Sequence, residues 1–145
     1  FSLSEILAAY LYAQLEAQNE LLARRARIYG LYSEALGPLE RSGHLTLPRV
    51  RAEVRTNHHI FYVLLRDRST RDRLQRHLNA REIHAVIHYV PLHTAPAARG
   101  FGPPRSLPVT EDVSGRLLRL PLYPDLTADD VARVADAVHG FFRSR

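Results

Sequence analysis

The chain has 145 residues, a formal net charge of +5 at pH 7, and 46% hydrophobic against 24% charged residues, the balance of a globular domain and not of a disordered segment. Every one of its 20 basic positions is Arg, so no side chain offers the primary amine that forms a Schiff base with a carbonyl compound. Cys and Met are absent, which excludes disulfides, thiol catalysis and Cys-ligated zinc. Apolar runs are too short to cross a bilayer, and the composition leads us to expect a cytoplasmic protein. Because the first residue is Phe1, the chain is also expected to be a piece of a longer polypeptide.

Ser2-Leu3-Ser4-Glu5 fits a capping box, with Ser2 as N-cap and Glu5 at the third helical position. Ile6, Leu7, Tyr10, Leu11, Leu15, Leu21, Leu22, Ile28, Tyr29 and Tyr32 then recur at helical spacing until Gly37-Pro38, which reads as a stop. The spacing predicts one long linking helix over residues 1–37, bent near Gln18-Asn19, with more apolar face than so small a domain can cover.

After the stop the period changes. Leu45-Thr46-Leu47 reads as a short strand ended by Pro48, and residues 59–65 as a buried strand rich in β-formers. Ser69 or Thr70 is expected to cap a helix ending near Asn79, with Leu74 and Leu78 on its inner face. Residues 84–89 read as a second strong strand, and Pro91 to Pro103 as a long loop of the kind that carries function.

Thr110 is expected to cap a short helix over 111–118, followed by a strand over 118–122. Pro121 confines that strand to an edge or an end. Thr127 with Asp130 opens a final helix whose stripe is Val131, Val134, Val138 and Phe141 or Phe142. The fold class is therefore α+β: a long N-terminal helix, then a small domain over 38–145 with a sheet and helices on one of its faces.

The densest group of chemically active side chains is His84, His88, Tyr89 and His93. On a strand His84 and His88 would lie about 13 Å apart, too far to share a metal ion. His88 and His93 flank a turn, so both could face one pocket as hydrogen-bonding or acid–base groups. They could equally be structural histidines at a strand end. Of the adjacent His58 and His59, only one can look into a given pocket.

No carboxylate pair, Gly-rich phosphate loop or Ser nucleophile motif is present. Arg66, Arg68, Arg71, Arg73, Arg76 and Arg81 form a basic cluster, but Asp67, Asp72 and Glu82 interrupt it and no aromatic residues alternate with it. A solvated helix face is favoured there over a nucleic-acid site.

Four segments, in order, resemble the sugar aminotransferases of the DegT/StrS type. They are Ser4 to Glu16, Asn57-His58-His59-Ile60-Phe61-Tyr62, His88-Tyr89-Val90-Pro91-Leu92-His93, and Leu117-Leu118-Arg119-Leu120-Pro121-Leu122-Tyr123. Among these enzymes the likeness is greatest to the dTDP-4-amino-4,6-dideoxygalactose transaminases. The resemblance implies the C-terminal domain of the aspartate-aminotransferase fold (fold type I), and pyridoxal phosphate as the cofactor of the complete enzyme.

It further implies a nucleotide-linked 4-keto-6-deoxy sugar as substrate, glutamate as amino donor, and a homodimer. The substrate-binding residues it implies are His88, Tyr89 and His93 on the turn, with His59 as a further candidate. The lysine-bearing cofactor domain has no counterpart in these residues, so the chain is expected to be inactive alone and to bind no cofactor by itself. The other expectation is a non-catalytic assembly module, or the relic of a truncated gene, that dimerises or pairs with a separate N-terminal half through Leu7, Tyr10, Leu11 and Leu22.

Overall fold

In the computed structural model, residues 4–100, 102 and 106–143 are described. The chain opens with α1 (Glu5–Glu16), whose N-cap is Ser4: its hydroxyl accepts the Leu7 N–H. The expected cap, Ser2, lies outside the described residues. Helix α2 (Gln18–Arg41) follows after Ala17, so the long helix is interrupted one residue before the place expected for a bend.

Gly37-Pro38 does not end α2. Pro38 sits inside the helix at the cost of one backbone hydrogen bond, and the flanking Leu36 and Leu39 are buried. The stop is Gly43, with φ of +74°. His44 N–H bonds to the Leu39 carbonyl and Gly43 N–H to that of Glu40, which together make a Schellman motif.

Three antiparallel strands form one sheet in the order β1 (Leu45–Thr46), β2 (Phe61–Leu65) and β3 (Leu117–Leu120). Phe61, Val63 and Leu65 are buried and alternate with half-buried Tyr62 and Leu64, while β3 buries Leu118 and Leu120 between half-exposed Leu117 and Arg119. One sheet face is thus core and the other is open.

Helix α3 (Arg68–Asn79) begins at Asp67, whose carboxylate accepts the Thr70 N–H at 2.7 Å. Ser69 and Thr70 were the expected caps; the ionised Asp67 carboxylate, a stronger acceptor than a hydroxyl, takes that role two to three residues earlier. The same hydrogen bond, reinforced by the Arg66 charge, holds the Asp67 carboxyl below the usual carboxylate range. Leu74 and Leu78 face the core as expected.

Residues 84–89 do not form the expected strand. Only Val86 pairs, through an isolated antiparallel bridge to Arg119, with N–H···O distances of 3.1 and 2.9 Å. The β-forming composition satisfies burial of Ile83 and Ala85 without a ladder. Between Pro91 and Gly100 the loop contains two short 3-10 turns, Leu92–Thr94 and Pro96–Gly100. Its later part, at Phe101 and Pro103, lies outside the described residues.

Helix α4 (Pro108–Arg116) starts earlier than expected, with Pro108 at its first turn in place of a Thr110 cap. β3 starts and ends earlier too, leaving Pro121 beyond the ladder. Helix α5 (Ala128–Arg143) begins as expected: Thr127 Oγ1 accepts the Asp130 N–H at 3.1 Å and Asp130 Oδ2 accepts the Thr127 N–H at 3.0 Å. Its buried stripe of Val131, Val134, Val138, Phe141 and Phe142 packs toward α2 and α3. No described helix is long and apolar enough to cross a membrane.

Candidate functional site

The open face of the sheet carries the chemistry. Tyr62 on β2 lies directly opposite Arg119 on β3, and the period of two turns both away from the core. The Val86 bridge then runs the 86–89 segment along the far side of β3, so His88 and Tyr89 arrive beside Arg119. His59, Tyr62, His88, Tyr89, Leu117 and Arg119 line a cleft of about 270 Å³.

Arg119 organises this cleft. Its Nη1 stands 2.7 Å from His88 Nδ1, and its Nη2 donates to the His59 carbonyl at 3.5 Å. A guanidinium only donates, so His88 Nδ1 accepts and the ring's proton resides on Nε2. His88 is thereby prepared to donate from Nε2 to an oxygen in the cleft. The Tyr89 ring lies 3.7 Å from that of His88, centroid to centroid, and is otherwise mostly exposed. His59 is held by its own neighbour, with Nδ1 2.6 Å from Asn57 Oδ1.

His93 is not part of this cleft. Its Nε2 lies 3.0 Å from Glu111 Oε1 at the start of α4. Glu111 also accepts the Leu107 N–H at 2.9 Å, and that bond, with the His93 contact, holds its carboxyl below the usual range. The pair ties the turn after Tyr89 to α4. The structure thus brings together His59, His88 and Tyr89 and places His93 elsewhere. His84 is exposed. His58 instead packs tilted against Tyr29, with ring centroids 4.6 Å apart, so the adjacent histidines do face different surroundings.

Sequence reasoning missed Arg119 and Tyr62. The available signal was a single charge inside the apolar run Leu117-Leu118-Arg119-Leu120, which alternation assigns to the face opposite Leu118 and Leu120. Among the described residues no cluster of His, Asp and Glu could hold a metal ion.

The basic cluster is largely self-satisfied. Arg66 pairs with Asp67, Arg73 donates to Thr70 Oγ1, Arg76 to the Asp72 carbonyl and Arg81 to the His77 carbonyl. The expected solvated face holds for most of it, but Arg71 is an exception: only 3% of it is exposed.

The sequence profile of the DegT/DnrJ/EryC1/StrS aminotransferase family matches residues 1–139. The erythromycin biosynthesis sensory transduction protein EryC1 of Saccharopolyspora erythraea is 33% identical over 129 residues, 88% of this chain and 34% of that protein. DesV of S. venezuelae, solved in complex with a ketimine intermediate, superimposes with a TM-score of 0.86 at 34% identity. The match covers 96% of this chain and 36% of DesV. A DegT/DnrJ/EryC1/StrS aminotransferase from Brucella abortus gives 0.77 at 31% identity, over 92% of this chain and 34% of its own. The chain therefore spans about a third of the length of the relatives it matches.

Proposed function

Because this chain belongs to the DegT/DnrJ/EryC1/StrS aminotransferase family, we propose that it is the substrate-side, C-terminal part of an enzyme that aminates a nucleotide-linked 4-keto-6-deoxy sugar at the expense of glutamate. Within this reading residues 1–37 link it to a separate cofactor domain, residues 38–145 form the small domain, and the enzyme works in the cytoplasm as a homodimer. The observation that carries the proposal is the polar cleft on the open sheet face, with His59, His88, Tyr89 and Arg119 converging where the core face cannot.

The family's cofactor, pyridoxal phosphate, supplies an electron sink when bound. These residues do not fit its covalent attachment, since the chain has 20 Arg and no Lys. What they fit is sugar recognition: a donor at His88 Nε2, a fixed cation at Arg119, and an aromatic face and hydroxyl at Tyr89. In this reading the His93–Glu111 pair sets the turn that presents Tyr89.

In the complete enzyme, His88→Ala and Tyr89→Phe are expected to lower kcat/KM by about 10- to 100-fold, the range for removing buried hydrogen bonds to a ligand. Melting temperature should barely change. A loss of stability with unchanged activity per folded molecule would assign these rings to packing alone. For this chain by itself, pyridoxal phosphate followed by borohydride should leave no reduced adduct on any side chain; such an adduct would sink the proposed division of labour.

A second reading, an assembly module, is favoured by α1. No residue of that helix is buried, and Leu7, Tyr10 and Leu11 are exposed, although Leu22 of the expected patch is half-buried in α2. A monodisperse monomer in light scattering at high concentration would count against it.

A further inference from the structure

We propose that Arg71, with Arg68, forms an oxyanion-binding subsite separate from the cleft on the sheet face. Arg71 lies in the first turns of α3 with 3% of its side chain exposed. Its Nε donates to Asp72 Oδ1 at 2.7 Å, but its Nη1 is buried and has no acceptor. A guanidinium stays charged at any ordinary pH, and a buried, unpaired N–H of a charged group is among the costlier defects a fold tolerates. Such groups are nearly always satisfied, so this one calls for a missing acceptor.

The surroundings indicate where the acceptor enters. Arg71 and Arg68 line one side of a cleft of about 370 Å³, whose other walls include Tyr89, Pro91, Thr94 and Glu111. Asp72 is shared, since its second oxygen lies 3.9 Å from Arg68 Nε. Two cations on α3 therefore face the cleft with one carboxylate between them. Glu111 on the opposite wall is already occupied by the Leu107 N–H and His93, and it restricts an incoming anion to the α3 side.

Phosphate and carboxylate oxygens share the required chemistry, two acceptor atoms matched to a guanidinium edge. Tyr89 lines both clefts, so the two adjoin at its ring. The subsite does not depend on the amination reading, because it predicts binding of simple anions by this chain whatever its reaction.

The test is titration of the protein with inorganic pyrophosphate and, separately, with glutarate, followed by calorimetry and by NMR of the Arg Nε–Hε resonances. At least one probe should bind, weaken as salt rises, and shift the Arg71 resonance. Pyrophosphate alone would identify a phosphate-bearing ligand, and glutarate alone a carboxylate donor. Arg71→Gln should weaken binding by about tenfold or more, as expected for a lost charge-assisted contact. If that variant misfolds, the exposed Arg68→Gln should still weaken binding several-fold without altering the melting temperature. The proposal is overturned if neither probe binds at millimolar concentration. It is equally overturned if binding leaves the Arg71 resonance unmoved, or if neither substitution changes affinity.

Discussion

Helices α1 and α5 are both rich in apolar residues, yet α5 gathers them on one buried stripe while α1 spreads them round its surface and leaves them bare. In α5, Val131, Val134, Val138, Phe141 and Phe142 are all buried against α2 and α3. In α1, Ile6, Leu7, Tyr10, Leu11 and Leu15 share the helix with Ala8, Ala9, Tyr12 and Ala13, and none is buried; Tyr10 remains 68% exposed. Apolar residues on a helix declare that a surface is to be covered and say nothing about whether the cover belongs to the same chain. The contrast separates a packed body from a helix and a sheet face that stay open.

The largest expected effect lies in the packed body. Phe61 is fully buried and packs with Tyr29 and Tyr32 at 5.0 and 4.9 Å, so Phe61→Ala should destabilise by about 3–5 kcal/mol in denaturant unfolding. A cost near zero would mean that this body is not the core.

Next come the two Schellman ends. Gly43→Ala places a Cβ at φ +74° and should cost about 1 kcal/mol. At the end of α3, Glu82 occupies the same role at φ +59°, with Ile83 N–H bonded to the Leu78 carbonyl. Glu82→Gly should therefore stabilise by roughly 0.5–1 kcal/mol. Opposite signs at two equivalent motifs would be hard to produce by any cause other than backbone strain.

The pH response sharpens the comparison further. Thr127 hydrogen bonds hold Asp130 below the usual carboxylate range, the Thr70 N–H does so for Asp67, and the Leu107 N–H for Glu111. A folded value below the unfolded one means stability that is complete above about pH 4 and lost as pH falls through the depressed value. Acid titration of the melting temperature should show that loss, and Asp130→Asn should shrink it. Stability that rises on acidification would contradict these assignments.

The smallest effect is expected on α1. Leu11→Ala should change the stability of this chain by no more than about 0.5 kcal/mol, as for a surface position. A cost of several kcal/mol would show that α1 is covered in solution, and would favour the assembly reading.

Much of the fold was legible because local rules and tertiary packing agree. The Thr127–Asp130 box and the stripes of α3 and α5 appear as read. Misreadings occurred where two local signals competed. Gly37-Pro38 looked like a stop, but Leu36 and Leu39 on either side bury enough surface to carry the helix through to Gly43. Residues 84–89 have strand composition, yet only Val86 finds a partner. Of the site, His59, His88 and Tyr89 were visible as residue types. Arg119 was hidden inside an apolar strand.

By itself, the sequence determined the α+β class, the absence of any lysine chemistry, and the family that the four motifs resemble. These depend on composition, period and short motifs, which are local properties of the chain. Only the tertiary structure decided that Arg119 fixes the proton of His88 and that His93 belongs with Glu111. It alone showed that Arg71 is buried with an unpaired N–H. Each of these joins segments far apart in the chain, or depends on what covers a side chain, and no spacing rule reaches that far.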